Sequence, residues 1–168
     1  KKYLPLLSAG DMVGAIAMTE PSAGSDLQGI KTTAIQQPDG SFLLNGSKTY
    51  ITNGWHSDLV IVVAKTHPAA GAKGTSLFLL TADTPGFTKG KPLHKLGLKA
   101  QDTCELFFDN VNLPADSLLG GPDYLNRGFI CLMEQLPWER LQIAIGAVAA
   151  SQAAIQWTLD FVKQRQVF

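Results

Sequence analysis

The stretch VGAIAMTEPSAGSD, at residues 13–26, decides how this chain is interpreted. Its apolar first half, residues 13–18, predicts a buried β-strand. The second half turns sharply and carries hydroxyl side chains and glycine at the predicted strand end. Such a turn presents backbone N–H groups and hydroxyls to a ligand, as pockets for polyanionic ligands do. Taken alone, the pattern is equally typical of an ordinary capped turn.

A second stretch, KTYITNG at residues 48–54, makes the interpretation more specific. It combines the aromatic face of Tyr50 with the hydroxyl and backbone N–H of Thr52. An aromatic face together with hydroxyl and N–H donors is what a flat ring with a polar edge requires. The two stretches together therefore predict one ligand site built from two loops.

The composition excludes several classes of protein. The chain has 168 residues, 45% of them hydrophobic, and 14 basic residues balance 14 acidic ones. No basic run indicates a nucleic-acid groove, and no apolar run is long enough to span a membrane. The N-terminal residues do not resemble a signal peptide. Cys104 and Cys131 lie far apart and the three histidines are scattered, so we expect no metal site.

Residues 11–120 have the character of a β domain. Short β-branched and aromatic runs alternate with turn residues, which predicts strands at 13–18, 31–37, 41–44, 47–52, 58–65, 75–81, 105–108 and 111–113. Turns are predicted at Pro38-Asp39-Gly40, at Asn45-Gly46 and at Thr84-Pro85-Gly86. This spacing favours an antiparallel barrel or sandwich over βαβ units.

Residues 121–168 have helical character. We predict a helix over 124–136 that Pro137 stops or restarts, and a long helix over 138–167 rich in small residues. Its apolar surface exceeds what the β domain can cover, so we expect a fragment of a larger helical bundle. Residues 1–10 are interpreted as the end of a preceding helical domain. The predicted fold class is α+β, with a β middle domain followed by long helices of an incomplete bundle.

The two stretches closely resemble the flavin-binding signatures of the acyl-CoA dehydrogenase family, and the chain as a whole resembles its long-chain and isovaleryl branches. The resemblance implies FAD as cofactor. It implies that Thr19 contacts the pyrimidine edge of the flavin and Thr52 the N5 region. Tyr50 would pack against the ring, where many members have Trp, and Ser25 would lie near the pyrophosphate and the acyl-CoA. The cofactor-binding residues implied in these two stretches are Met18, Thr19, Gly24, Ser25, Tyr50, Ile51 and Thr52.

The segment LPWERL, at residues 136–141, is by itself an ordinary helix start. The resemblance gives it a second meaning, because the long-chain and isovaleryl branches take their catalytic base from the Glu of an E-R-L segment here. It implies that Glu139 removes the Cα proton of the acyl thioester. Trp138 and Arg140 would then help form the acyl-CoA pocket.

The segment KQRQVF, at residues 163–168, is by itself a solvated helix end. It resembles a family segment whose Arg and Phe reach the FAD of a neighbouring subunit, and Arg165 and Phe168 keep that spacing. The resemblance therefore implies a homo-oligomer, which in this family is usually a tetramer.

The reaction implied by the resemblance is α,β-dehydrogenation of an acyl-CoA to a trans-2-enoyl-CoA, with electrons passed to an electron-transfer flavoprotein. It implies bacterial cytoplasm or mitochondrial matrix as the compartment. Two alternatives stay open. One is a flavin acyl-CoA oxidase or a nitroalkane-oxidase-like relative, and the other is a non-catalytic module that binds acyl-CoA or flavin.

Overall fold

The computed structural model describes residues 2–168, which form seven strands and two α-helices. Helix α1 (Leu4–Ala9) precedes the strands, and its end at Gly10 has the left-handed conformation (φ 80°) that glycine adopts readily. The strands are β1 (Gly14–Ala17), β2 (Thr33–Gln36), β3 (Phe42–Thr52), β4 (Leu59–Lys65), β5 (Thr75–Thr81), β6 (Phe87–Lys89) and β7 (Thr103–Leu113). Helix α2 (Gly128–Gln164) follows. The helix expected at the N-terminus is thus seen, and Lys1 lies outside the described residues.

All seven strands belong to one mixed sheet. Its order is β1-β4-β2-β3-β7-β6, and β5 pairs with β4. The pairs β2–β3, β3–β7, β4–β5 and β6–β7 are antiparallel, whereas β4 runs parallel to β1 and to β2. The predicted α+β class, a largely antiparallel β domain followed by a long helix, is confirmed. The two parallel pairings were not foreseen.

The core of the β domain lies where the inward-facing side chains of these strands meet. Strand β4 is buried almost along its whole length, as expected of its continuous Val/Ile run. Phe42 and Phe78 meet edge to face with ring centroids 4.9 Å apart, and Phe87 stacks on Phe108 at 5.4 Å. This core fixes the strands that carry the two motif stretches.

The predicted turn at Asn45-Gly46 is wrong. Strand β3 continues through both residues, and its register against β7 shifts between Leu44 and Gly46. Gly46 has φ 144°, and a Cβ there would lie 2.8 Å from the Thr32 Cα. Asn-Gly therefore forms a bulge here, because glycine permits both the backbone angle and the close approach. Strand β7 likewise continues through residues predicted to separate two strands.

The predicted β2–β3 hairpin is confirmed. Gly40 donates its N–H to the Gln37 carbonyl at 2.9 Å, and the Gln37 N–H bonds to the Ser41 carbonyl at 2.8 Å. The Asp39 carboxylate accepts bonds from the Ser41 N–H and hydroxyl. Pro, Asp and Gly thus perform the turn functions that the sequence indicated.

The prediction that Pro137 interrupts the C-terminal helix is also wrong. Helix α2 runs without a break from Gly128 to Gln164, with Pro137 inside it. Proline removes one backbone bond, the one that would have reached the Met133 carbonyl. The loss of one bond does not break a helix of 37 residues, and the Ala-rich sequence beyond Pro137 favours helix. The helix ends at Gln164, three residues before the predicted end.

The chain divides into two compact units, residues 1–129 and 130–168. The second unit is almost wholly α2, and its large apolar side chains are exposed, among them Ile143, Ile145, Trp157 and Phe161. No helix among residues 2–168 is long and apolar enough to cross a membrane.

Candidate functional site

A pocket of about 340 Å³ in the first unit combines the two motif stretches. This size lies in the range of small-molecule sites. Five residues predicted to bind the cofactor line it: Met18, Thr19, Tyr50, Ile51 and Thr52. Its remaining lining comes from Gly14, Ala15, Ile16 and Asn53. The structure thus brings together, in one cavity, residues that are separated in sequence.

Strand pairing explains why the two stretches meet. The first stretch leaves the sheet at the end of β1, and the second occupies the last part of β3. A direct backbone bond joins them, because the Thr49 N–H donates to the Thr19 carbonyl at 2.9 Å. The Asn53 side-chain amide reaches the Gly14 carbonyl at 3.4 Å on the other side of the pocket. The pocket walls are therefore connected at both ends of β1.

A second irregularity in β3 sets the orientation of Tyr50, the aromatic residue of the pocket lining. The register against β7 shifts between Lys48 and Ile51, and Tyr50 between them has φ 57°. A positive φ at a bulky residue is uncommon and is kept only where the surroundings impose it. The Tyr50 side chain is 69% exposed, so its ring is available to a ligand.

A buried ion pair that the sequence analysis did not identify joins the two motif stretches. The Lys48 Nζ lies 2.9 Å from Glu20 Oε1, and the two side chains are 0% and 4% exposed. Lys48 also donates to the Met18 carbonyl at 2.9 Å. The Glu20 carboxylate accepts the N–H groups of Lys31 at 2.6 Å and Thr32 at 3.0 Å. We call Glu20 and Lys48, with these contacts, the clasp.

Burial and pairing act on both members of the clasp. Burial lowers the pKa of Lys48 from 10.5 to about 8, although the neighbouring Glu20 carboxylate acts in the opposite direction. Burial alone would raise the pKa of Glu20. The hydrogen bonds from Lys31, Lys48 and Thr32 and the Lys48 charge outweigh it, so the pKa of Glu20 is lowered. Glu20 and Lys48 stand one in each motif stretch, but this position alone does not indicate burial or pairing.

Asp102 fixes the turn that closes the second stretch. Its carboxylate accepts the Trp55 N–H at 2.8 Å, and its carbonyl accepts the Asn53 N–H at 3.2 Å. Asn53 has φ 60°, a conformation that Asn tolerates better than most residues. Gly54 packs tightly against Cys104, whose Sγ would lie 2.7 Å from an added Cβ. The residues after Thr52 are thus held by Asp102, just before β7, and by Cys104 in β7.

Two predicted cofactor residues of the first stretch lie outside the pocket lining. Gly24 and Ser25 are exposed on the loop that follows Glu20. That loop is closed by two backbone bonds between Glu20 and Ala23, at 2.9 and 3.1 Å. Ser25 follows this closed turn by two residues and is exposed, so it is open to a ligand that extends beyond the pocket.

The remaining predicted site residues belong to the second unit. Trp138, Glu139 and Arg140 follow one another on α2, and all three are solvent-exposed. Arg165 and Phe168 follow the last helical residue, and both are also exposed. The Arg165 N–H still bonds to the Phe161 carbonyl at 3.1 Å, which extends the helical geometry by one residue.

The donor set of the pocket fits a flavin. Thr19, Tyr50 and Thr52 supply hydroxyls, and Ile16, Met18 and Ile51 supply apolar surface. No carboxylate stands among the lining residues to repel an anionic cofactor. An apolar cavity with a few hydroxyls suits an uncharged ring with a polar edge. Within residues 2–168, no group of three or more His, Cys, Asp or Glu residues could hold a metal ion.

Comparison with known proteins settles the family. Residues 15–111 match the acyl-CoA dehydrogenase middle domain, and residues 126–168 match the acyl-CoA dehydrogenase C-terminal domain. The chain belongs to the acyl-CoA dehydrogenase family. The resemblance carried by the two motif stretches is therefore confirmed, and the pocket lies in the middle domain of this family member.

Individual relatives agree with this assignment. The chain is 56% identical to the long-chain specific acyl-CoA dehydrogenase, mitochondrial, of Sus scrofa, over all of this chain and 39% of that protein. It is 45% identical to an acyl-CoA dehydrogenase of Bacillus subtilis, over 99% of this chain and 43% of that protein. A crystal structure of an acyl-CoA dehydrogenase from Geobacillus kaustophilus superimposes with a TM-score of 0.93 at 48% identity, covering 99% and 43% of the two chains. The chain thus spans about two fifths of the length of these relatives.

Proposed function

We propose that the whole protein containing these residues is an FAD-dependent acyl-CoA dehydrogenase that converts an acyl-CoA into a trans-2-enoyl-CoA. One observation carries the proposal: in a member of this family, the two predicted flavin stretches line a single pocket. A related glutaryl-CoA dehydrogenase of Mycobacterium smegmatis, 38% identical to this chain, was solved in complex with FADH2. This supports FAD as the cofactor of the protein proposed here.

In this proposal, the residues of the middle domain bind and orient the cofactor. Thr19 and Thr52 donate hydrogen bonds to the polar edge of the flavin, and Tyr50 covers its ring. Gly24 and Ser25 lie near the pyrophosphate, and the side chains of Met18 and Ile51 exclude water from the flavin ring. When bound, FAD accepts the hydride that leaves Cβ of the substrate. Arg165 and Phe168 contact the FAD of a neighbouring subunit, which requires a homo-oligomer, in our proposal a tetramer.

Glu139 is the proposed catalytic base. Its carboxylate takes the Cα proton, and Trp138 and Arg140 border the acyl-CoA. A carboxylate held against the substrate and shielded from water is a stronger base than one in solvent.

The relatives favour the long-chain branch. The identity is 56% to the Sus scrofa long-chain enzyme and 41% to the isovaleryl-CoA dehydrogenase of Arabidopsis thaliana. We therefore propose a straight-chain acyl-CoA substrate and, as electron acceptor, an electron-transfer flavoprotein. Both mitochondrial and bacterial relatives occur, so the proposal includes mitochondrial matrix and bacterial cytoplasm as compartments.

A second candidate is a flavin oxidase. The prolyl acyl carrier protein oxidase AnaB superimposes with a TM-score of 0.91 at 35% identity, so oxidases share this fold. Oxygen consumption separates the two candidates. A dehydrogenase reduced by acyl-CoA is expected to react slowly with oxygen and rapidly with an electron-transfer flavoprotein, and an oxidase the reverse.

Anaerobic reduction of the flavin tests the proposal. The whole protein is mixed with acyl-CoAs of increasing chain length, and loss of the visible flavin band is followed by stopped flow. We expect bleaching by wild type and a rate at least about 1,000-fold lower in Glu139→Gln, within the range that general bases contribute. Glu134→Gln, an exposed Glu one helical turn and a half away, is the matched control and should bleach like wild type.

Each result decides something different. Equal bleaching by wild type and Glu139→Gln would leave the dehydrogenase reaction in place and remove Glu139 as base. A protein that binds FAD but is bleached by no acyl-CoA would contradict the proposed reaction and support the non-catalytic module.

A further inference from the structure

We propose that the clasp, Glu20 with Lys48, is a positioning device that sets both walls of the flavin pocket. This inference rests on the proposed function, because it concerns the same pocket. Neither side chain lines the pocket, so neither is a catalytic residue. Both act through the backbone of residues that do line it.

The first wall is set through a single peptide group. Lys48 Nζ donates to the Met18 carbonyl at 2.9 Å. The peptide unit is planar and trans, so the Thr19 N–H points away from the Met18 carbonyl. Fixing that carbonyl toward Lys48 therefore directs the Thr19 N–H to the opposite side. Met18 and Thr19 both line the pocket, and the orientation of their shared peptide depends on one buried ammonium group.

The second wall is set because Lys48 itself begins the irregular part of β3. The register shift starts at Lys48, and Tyr50 at its centre has a positive φ. The next residue, Thr49, donates its N–H to the Thr19 carbonyl. The Lys48 ammonium group is bound by Glu20 and Met18, so the irregular part of β3 that presents Tyr50 begins at an anchored residue.

Glu20 connects the clasp to a third segment. Its carboxylate holds the N–H groups of Lys31 and Thr32, which lead into β2. Its own backbone closes the loop with Ala23 that leads to Ser25. One ion pair thus joins the end of β1, the Ser25 loop, the start of β2 and the bulge of β3. The proposal rests on these directed contacts to several segments rather than on burial alone.

The test compares Lys48→Met with Lys65→Met in the whole protein. Lys65 is the control, because it is also buried, at 3% exposure, and donates to one backbone carbonyl, that of Gly71. The Glu20 charge acts on Lys65, but Lys65 is not the residue that holds the Met18 carbonyl. Its contact lies on a loop away from the pocket lining. Both substitutions replace a buried ammonium with an apolar chain of similar length, so both should lower the unfolding temperature.

The readouts are the FAD dissociation constant and the visible spectrum of the bound flavin, neither of which requires turnover. We expect Lys48→Met to weaken FAD binding at least tenfold and to shift the flavin bands, and Lys65→Met to change affinity less than threefold. In the apoprotein, amide hydrogen exchange of residues 18–23 and 31–32 should rise in Lys48→Met only. If Lys48→Met does not fold, Glu20→Asp is measured instead, because it keeps both charges and shortens the carboxylate side chain by one methylene. We expect the same changes in FAD affinity and flavin spectrum, at smaller size.

The outcomes separate this inference from the proposed function. If wild type binds FAD and the two Met variants affect affinity and spectrum equally, the clasp proposal is overturned and the dehydrogenase proposal stands. If only Lys48→Met weakens FAD binding, yet no acyl-CoA bleaches wild type, the clasp proposal holds and the dehydrogenase proposal fails. If wild type binds no FAD, both are overturned.

Discussion

Replacing Gly46 by Ala should be one of the most damaging single-methyl changes in the β domain. Gly46 has φ 144°, a region that only glycine occupies readily, and forcing Ala into it costs about 1–3 kcal/mol. The added Cβ would lie 2.5 Å from the Thr32 Oγ1 and 2.8 Å from its Cα. The hydroxyl could rotate away, but the Cα belongs to the backbone and cannot.

The position of Thr32 makes relief of this clash difficult. Its N–H is bound to Glu20 at 3.0 Å, and the clasp holds Glu20. Overpacking of this kind typically costs about 1–3 kcal/mol. Ala also lowers the conformational entropy of the unfolded chain, which offsets about 0.4–1 kcal/mol of this loss in stability. We therefore expect Gly46→Ala to lower the free energy of unfolding by about 3 kcal/mol.

Gly40→Ala is the control. Gly40 has a positive φ of 85°, but an added Cβ there meets nothing within 4 Å. Its cost should be about 1 kcal/mol, from backbone strain alone. Both variants are measured by urea unfolding of the whole protein, with hydrogen exchange of the β2–β3 amides to localise the effect. Both positions have a positive φ and both carry backbone strain, but only Gly46 faces Thr32. Equal costs for the two variants would therefore refute the argument from close approach.

Three further predictions concern the core and the clasp. Phe78→Ala should destabilise the β domain by about 3–5 kcal/mol, seen in the urea midpoint, because it empties a fully buried site beside Phe42. Glu20 has a lowered pKa, so its contribution to stability is present above the ordinary value of 4.5 and is lost as the pH falls through the folded value. Glu20→Gln should therefore flatten the acid side of a plot of unfolding temperature against pH, and an unchanged acid side would contradict this. Lys48, with a pKa of about 8, releases its proton in the folded state before the unfolded chain does. The stability of wild type relative to Lys48→Met should thus rise between pH 8 and 10.5, as pH-dependent unfolding can show.

Much of the fold follows from local signals that tertiary contacts did not override. The Val/Ile run of β4, the strand at residues 75–81 and the Pro38-Asp39-Gly40 turn each contain one dominant signal, and each was predicted correctly. Asn45-Gly46 failed because the same dipeptide serves a tight turn or a bulge, and only the neighbour Thr32 decides between them. Pro137 failed because its cost, about 3 kcal/mol, is small beside the propensity of a long Ala-rich helix.

The candidate site was likewise predicted only in part from the sequence. The lining residues Thr19, Tyr50 and Thr52 were identified because hydroxyl and aromatic groups at a strand end already indicate a ligand. The clasp was missed because a Glu and a Lys in separate stretches most often lie in solvent, and neither sequence position indicates burial. The parallel pairing of β1 with β4 was missed for a related reason, since register between distant strands depends on the whole core.

The chemistry of the clasp argues that its value lies in geometry. Moving two charges out of water costs several kcal/mol each, and an apolar pair of similar volume often stabilises a fold more. Lys48 and Glu20 are nevertheless buried and make directed bonds to Met18, Lys31 and Thr32. An apolar pair could fill the same space, but it could not hold a particular carbonyl and two particular N–H groups in fixed directions. The double variant Glu20→Leu/Lys48→Met should therefore recover much of the stability that Lys48→Met loses, while FAD affinity stays low. Recovery of both the stability and the FAD affinity in the double variant would mean that packing alone shapes the pocket.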